Sequence, residues 1–139
     1  MSSADEEPIS YPIRLTGSAR KDIDDAHIRF VTFGGERLAD EWKESLFAEL
    51  QRLGGMATGY PVTVLESRLL KIEVRAFTFE RRRSAVSYRV LYAVVSDEQH
   101  ELAGAGDPPF VLLLHVHHAA RRPMTRKEAD ALRRSLDTE

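Results

Sequence analysis

Between residues 69 and 95 the chain reads LLKIEVRAFTFERRRSAVSYRVLYAVV, and apolar and ionisable side chains alternate along it. Leu70, Ile72, Val74 and Ala76 fall on one parity and Lys71, Glu73 and Arg75 on the other, the two-residue period of a half-buried strand. Val86, Tyr88, Val90, Tyr92 and Val94 share one parity of a second strand, leaving Ser87, Arg89, Leu91 and Ala93 opposite. A third run, FVLLLHVHH over residues 110–118, sets Leu112, Leu114 and Val116 against His115 and His117. If the three apolar parities face one core, Lys71, Glu73, Arg75, Arg89, His115 and His117 converge on one open, cationic sheet surface.

Upstream, the pattern predicts a short strand over residues 11–15, then a turn at Thr16-Gly17-Ser18 with Ser18 as helix N-cap. Ala19, Ile23, Ala26, Phe30 and Val31 keep helical spacing until Gly34-Gly35. A second amphipathic helix over residues 36–53 carries Leu38, Ala39, Trp42, Leu46, Phe47, Leu50 and Leu53 on one stripe and stops at Gly54-Gly55. The two helices read as an antiparallel hairpin covering one sheet face. Residues 56–67 read as loop with a short extended piece over 62–65, and residues 78–83 join the first two main strands. Residues 96–109 are long for a hairpin connection and suit a flap over the open face. Thr125 and Glu128 form a capping-box pattern before a C-terminal helix with Ala129, Leu132 and Leu136. The expected class is α/β (α+β): strand, helical hairpin, three-stranded mostly antiparallel sheet, C-terminal helix.

Composition narrows the setting. With 139 residues and 42% hydrophobic content, one domain over residues 11–139 can bury a core without staples, after an acidic, disordered-type tail over residues 1–10. Zero cysteines exclude disulfides and thiolate metal or redox chemistry. The opening MSSADEEPIS lacks the apolar core of a signal peptide, and no apolar run approaches the roughly 18 residues of a membrane span. A cytoplasmic protein without membrane contact is expected. The net charge of −2 argues against a general nucleic-acid coat, but residues 1–60 balance at −4 and residues 61–139 at +2. An anion would dock on the second half, because screening confines steering to about 8 to 10 Å.

Chemistry follows from those placements. Lys71, Arg75 and Arg89 are either solvated outward residues or a phosphodiester site, for which arginine's planar, permanently charged fork is suited. His117 and His118, with His115, could supply the acid and base that RNA scission requires. His115 and His117 also have a spacing open to two metal ligands, with Glu73 as the one further donor in view; no metal or cofactor is expected. Arg81, Arg82 and Arg83 form a loop run that could touch a nucleic-acid backbone, as could Arg121 and Arg122. No GxSxG or comparable word supports a serine nucleophile.

The words LLKIEVRAF, SYRVLYAVV and VLLLHVHHAARRP, in the order strand, two helices, three strands, helix, resemble the RelE/ParE superfamily of toxins from bacterial type II toxin–antitoxin modules. The resemblance spans residues 11–136. It implies a cytoplasmic, growth-inhibiting toxin silenced by a tightly bound antitoxin protein. RelE-like members are mRNA interferases, metal-independent endoribonucleases that act on the ribosome. By that likeness Lys71 stands for a strand lysine, Arg75 for a neighbouring arginine and Arg89 for the arginine of the YR word, with His117 or His118 after the last strand. Glu73, Ala119 and Thr125 depart from a lysine, an arginine and a tyrosine of that set. ParE-like members inhibit DNA gyrase instead, and their C-terminal HxxR turn is similar to His118-Ala119-Ala120-Arg121. A binding module that kept the fold without toxicity is the third reading.

Overall fold

A computed structural model of the chain describes residues 10–80, 87–95, 109–119 and 124–138. The order of elements is β1 (Ile13–Leu15), α1 (Gly17–Leu53), α2 (Val64–Leu70), β2 (Arg75–Glu80), β3 (Ser87–Val95), β4 (Phe110–His118) and α3 (Arg126–Thr138). The fold is mixed α/β around a four-stranded sheet in the order β1-β4-β3-β2. The expected antiparallel trio is present as β2, β3 and β4, and β1 adds a fourth strand parallel to β4.

Helix α1 is a hairpin of two arms. Gly35 sits at φ 84 and ψ 172, a non-helical residue between the two helical stretches. That conformation is one that only glycine adopts readily, so the chain reverses there. Phe30 then stacks on Trp42 at 5.0 Å between centroids, and His27 Nε2 lies 2.9 Å from Asp40 Oδ1. Ala19, Ile23 and Ala26 from one arm and Ala39, Trp42, Leu46, Leu50 and Leu53 from the other are buried, while Leu38 and Phe47 stay exposed at the stripe's edges.

The cap is Thr16, not the expected Ser18. Its extended backbone lets Oγ1 accept from the Ala19 N–H at 3.0 Å and donate to the Leu114 carbonyl at 3.1 Å. One hydroxyl therefore satisfies an orphan amide at the helix start and ties that start to β4.

The first predicted strand begins later than the alternation suggests. Residues 64–70 form α2, and Lys71 closes it in the left-handed conformation at φ 59. Ser67 Oγ accepts from the Val74 N–H at 2.9 Å, and the Thr63 N–H donates to the Val74 carbonyl at 2.8 Å. These local bonds fold the LLKIEV segment back on itself, and β2 starts only at Arg75. The extended piece expected over 62–65 shrinks to a single bridge, Val62 to Arg75.

The sheet is covered on both faces, which corrects the expected open surface. Phe77, Phe79, Tyr88, Val90, Tyr92, Val111, Leu113 and Val116 pack with the α1 hairpin. Ala76, Leu91, Ala93, Val95, Phe110, Leu112 and Leu114 pack with Leu70, Val74, Met124, Ala129 and Leu132 on the other side. The expected capping box forms: Glu128 N–H donates to Thr125 Oγ1, and Thr125 N–H donates to Glu128 Oε1, both at 3.2 Å. The second apolar parity of β3, Leu91-Ala93-Val95, is the signature of a strand buried on both sides.

Strand β4 carries a bulge. Leu91 pairs with His115 while Tyr92 pairs with Leu113, so Leu114 is an extra residue. Plain alternation predicts Leu112, Leu114 and Val116 on one face. The bulge instead leaves Leu112 and Leu114 against α3 and turns Val116 toward α1. The expected flap, the tail over residues 1–9, and Val86 lie outside the described residues.

Candidate functional site

The bulge decides which polar side chains meet. After it, Arg89 is in register with His117 across the β3–β4 ladder and with Thr78 across the β2–β3 ladder. Register partners in a pleated sheet project to the same side, so Arg89 and His117 are neighbours, as the alternation predicts. Arg89 Nη2 donates to Glu66 Oε1 at 3.1 Å; Glu66 comes from α2 and is only 2% exposed. Burial pushes the Glu66 carboxyl up, but the hydrogen bond from Arg89 and the charge of Arg89 hold it below the usual carboxylate value. A buried, ionised Glu66 thus orients the Arg89 guanidinium.

The other expected cations are not in this group. Arg75 is in register with Tyr92, on the face opposite Arg89. Its guanidinium donates to the carbonyls of Tyr60 and Thr58 and pairs with Glu73 at 3.2 Å. It anchors the segment after α1. Lys71 is exposed at the C-terminus of α2, beside a shallow groove lined by Val62, Val64, Arg68 and Glu73. The convergence of Lys71, Glu73 and Arg75 with Arg89 is therefore not formed, because α2 takes the chain out of the sheet just where the alternation predicts a strand. Arg81, Arg82, Arg83, Arg121 and Arg122 lie outside the described residues.

A second polar group surrounds the end of β4. His115 and His117 rings are 4.3 Å apart between centroids. Asp22, on the first arm of α1, reaches the exposed edge of β4 beyond the end of β1. Its Oδ2 lies 2.7 Å from His115 Nδ1 and 3.4 Å from His117 Nε2, and it accepts from the Val116 N–H at 3.0 Å. The carboxylate caps a strand amide that β1 is too short to pair. Asp22 is the residue that sequence reading missed: on the helix it is one polar position among Lys21, Asp24 and Asp25, and only its three-dimensional neighbours distinguish it. Glu73, the further metal donor considered from sequence, is engaged with Arg75 instead.

A cleft of about 390 Å³ opens beside this group, lined by Asp22, Asp25, Ile28, Arg29, Val116, His117 and His118. His118 is exposed at the last position of β4, its ring edge-on to Tyr88 at 5.8 Å. It belongs to the α1 side of the sheet, one face away from Arg89. Thr125, at a position compared with a tyrosine, is used by the α3 capping box. Among the described residues, no helix is long and apolar enough to cross a membrane. Set against known proteins, the chain matches no family model, no curated protein and no solved structure.

Proposed function

We propose that this chain is the growth-arresting toxin of a two-component toxin–antitoxin module of the RelE/ParE kind, acting in the cytoplasm as a ribosome-associated mRNA endoribonuclease and silenced by a cognate antitoxin protein. The observation that carries this reading is the register pairing of Arg89 with His117. A fixed guanidinium can stabilise charge developing on a phosphodiester, and an imidazole beside it can move a proton at the 2′-hydroxyl or the leaving oxygen. The SYRVLYAVV and VLLLHVHHAARRP words that motivated the family likeness supply both residues. An antitoxin that laid acidic side chains across Arg89 would neutralise and cover it.

A second reading, inhibition of DNA gyrase, is favoured by a different observation. Lys71 and Arg75 stand away from Arg89, so the cation set of the nuclease members is incomplete among the described residues. Expression in bacteria separates the readings. Cleaved transcripts in arrested cells, relieved by Arg89→Lys with His117→Ala, are the expected result. Intact transcripts with double-strand breaks and a DNA-damage response would move the assignment to gyrase, and unimpeded growth at high expression would leave a non-toxic binding module.

A further inference from the structure

We infer that Asp22, His115 and His117 form a binding site for a divalent transition-metal ion of the zinc type, at the junction of α1 and β4. One donor atom from each of the three lies within 4.8 Å of the others, and all three side chains are partly buried rather than solvated. For a tetrahedral ion with bonds of about 2.1 Å, ligand atoms stand about 3.4 Å apart. The His117–Asp22 separation of 3.4 Å already has that value, and the His115–Asp22 contact of 2.7 Å needs to open by about 0.7 Å.

The donor chemistry selects the ion. Two imidazoles and one carboxylate suit zinc and its borderline neighbours; there are too few oxygens for calcium or magnesium, and no thiolate is present to favour copper(I). Support for the ligands is built in. The Val116 N–H holds the Asp22 carboxylate beside the two histidines. A three-ligand set leaves an open coordination position, and the adjoining cleft of about 390 Å³ gives water or a small ligand access to it. This inference concerns the isolated protein and needs no target, and zinc on His117 would withdraw that imidazole from the proton-transfer role proposed above.

The test uses the full chain without a histidine tag, stripped with chelator, dialysed against zinc and assayed for bound metal. Cobalt(II) serves as a spectroscopic probe through the visible bands of a low-coordinate complex. One equivalent of zinc per chain is expected, with affinity reduced at least about 100-fold in His117→Ala and in Asp22→Asn, more than loss of a merely supporting residue causes. Asp22→Asn keeps an acceptor for Val116 and so separates lost coordination from lost folding, which circular dichroism checks. His118→Ala, in the same cleft but outside the ligand group, should bind as the parent does. Absence of zinc from the folded parent protein, or equal retention by folded Asp22→Asn and His117→Ala, would overturn the site.

Discussion

Arg89 Nη2 lies 3.1 Å from Glu66 Oε1, joining the middle strand of the antiparallel trio to the short helix α2 through a carboxylate that is 2% exposed. The pair is asymmetric, since the Arg89 side chain is 36% exposed. Removing the cation leaves an ionised group in the interior, whereas removing the carboxylate leaves a guanidinium that water can still reach.

Arg89→Ala should therefore destabilise the fold by about 1 to 3 kcal/mol, below the range for a fully buried pair because solvent screens part of the interaction. Adding Glu66→Gln should recover most of that loss. Urea denaturation of the parent, the two single variants and the double variant measures the coupling. Strictly additive effects would show that the contact carries no stability. The double variant is also the right background for toxicity assays, since it separates loss of function from loss of fold.

Tyr92 is fully buried, its hydroxyl donates to the Ala57 carbonyl, and burial pushes its pKa up to about 12 against a small opposing effect of Arg75. The raised value means that the folded state holds the phenol proton more tightly than the unfolded chain, whose value is about 10. That contribution is complete below pH about 10 and is lost as pH rises toward 12, on the order of 2 to 3 kcal/mol in all. Tyr92→Phe should lose roughly 1 kcal/mol at neutral pH for the missing hydrogen bond and show a shallower decline in alkali. Denaturation midpoints at pH 8 and pH 11 compare the two, and parallel declines would contradict the burial argument.

Gly35 adopts φ 84 and ψ 172 with open space where a Cβ would stand. Gly35→Ala should accordingly cost about 1 to 3 kcal/mol through backbone strain alone, with no steric clash to relieve. A thermal melt that matched the parent's would mean that the reversal between the α1 arms tolerates an ordinary residue.

The local elements were legible because each has a short-range cause. The helical arms follow from the spacing of Ile23, Ala26, Trp42, Leu46 and Leu50 and the break at Gly35, the α3 start from Thr125 and Glu128, and the antiparallel trio from the alternation around Tyr88 and Val90. The neighbourhood of Arg89 and His117 was legible too, because two-residue periodicity gives both the same sheet face. What tertiary structure decided is the rest of the site. Alternation in LLKIEV is compatible with a strand, yet Ser67 and Thr63 bond Val74 and make it a helix end, which carries Lys71 off the sheet. The extra residue Leu114 reverses the parity of β4, and no local preference announces a bulge whose cause is the pairing of Leu91 and Tyr92 with residues more than twenty positions away. Asp22 meets His115 across 93 positions of sequence, where Thr16 fastens the start of α1 to β4 through a contact 98 residues apart. Periodicity is a property of neighbouring residues, whereas which faces are covered and which charges pair depends on contacts made only once the chain has folded.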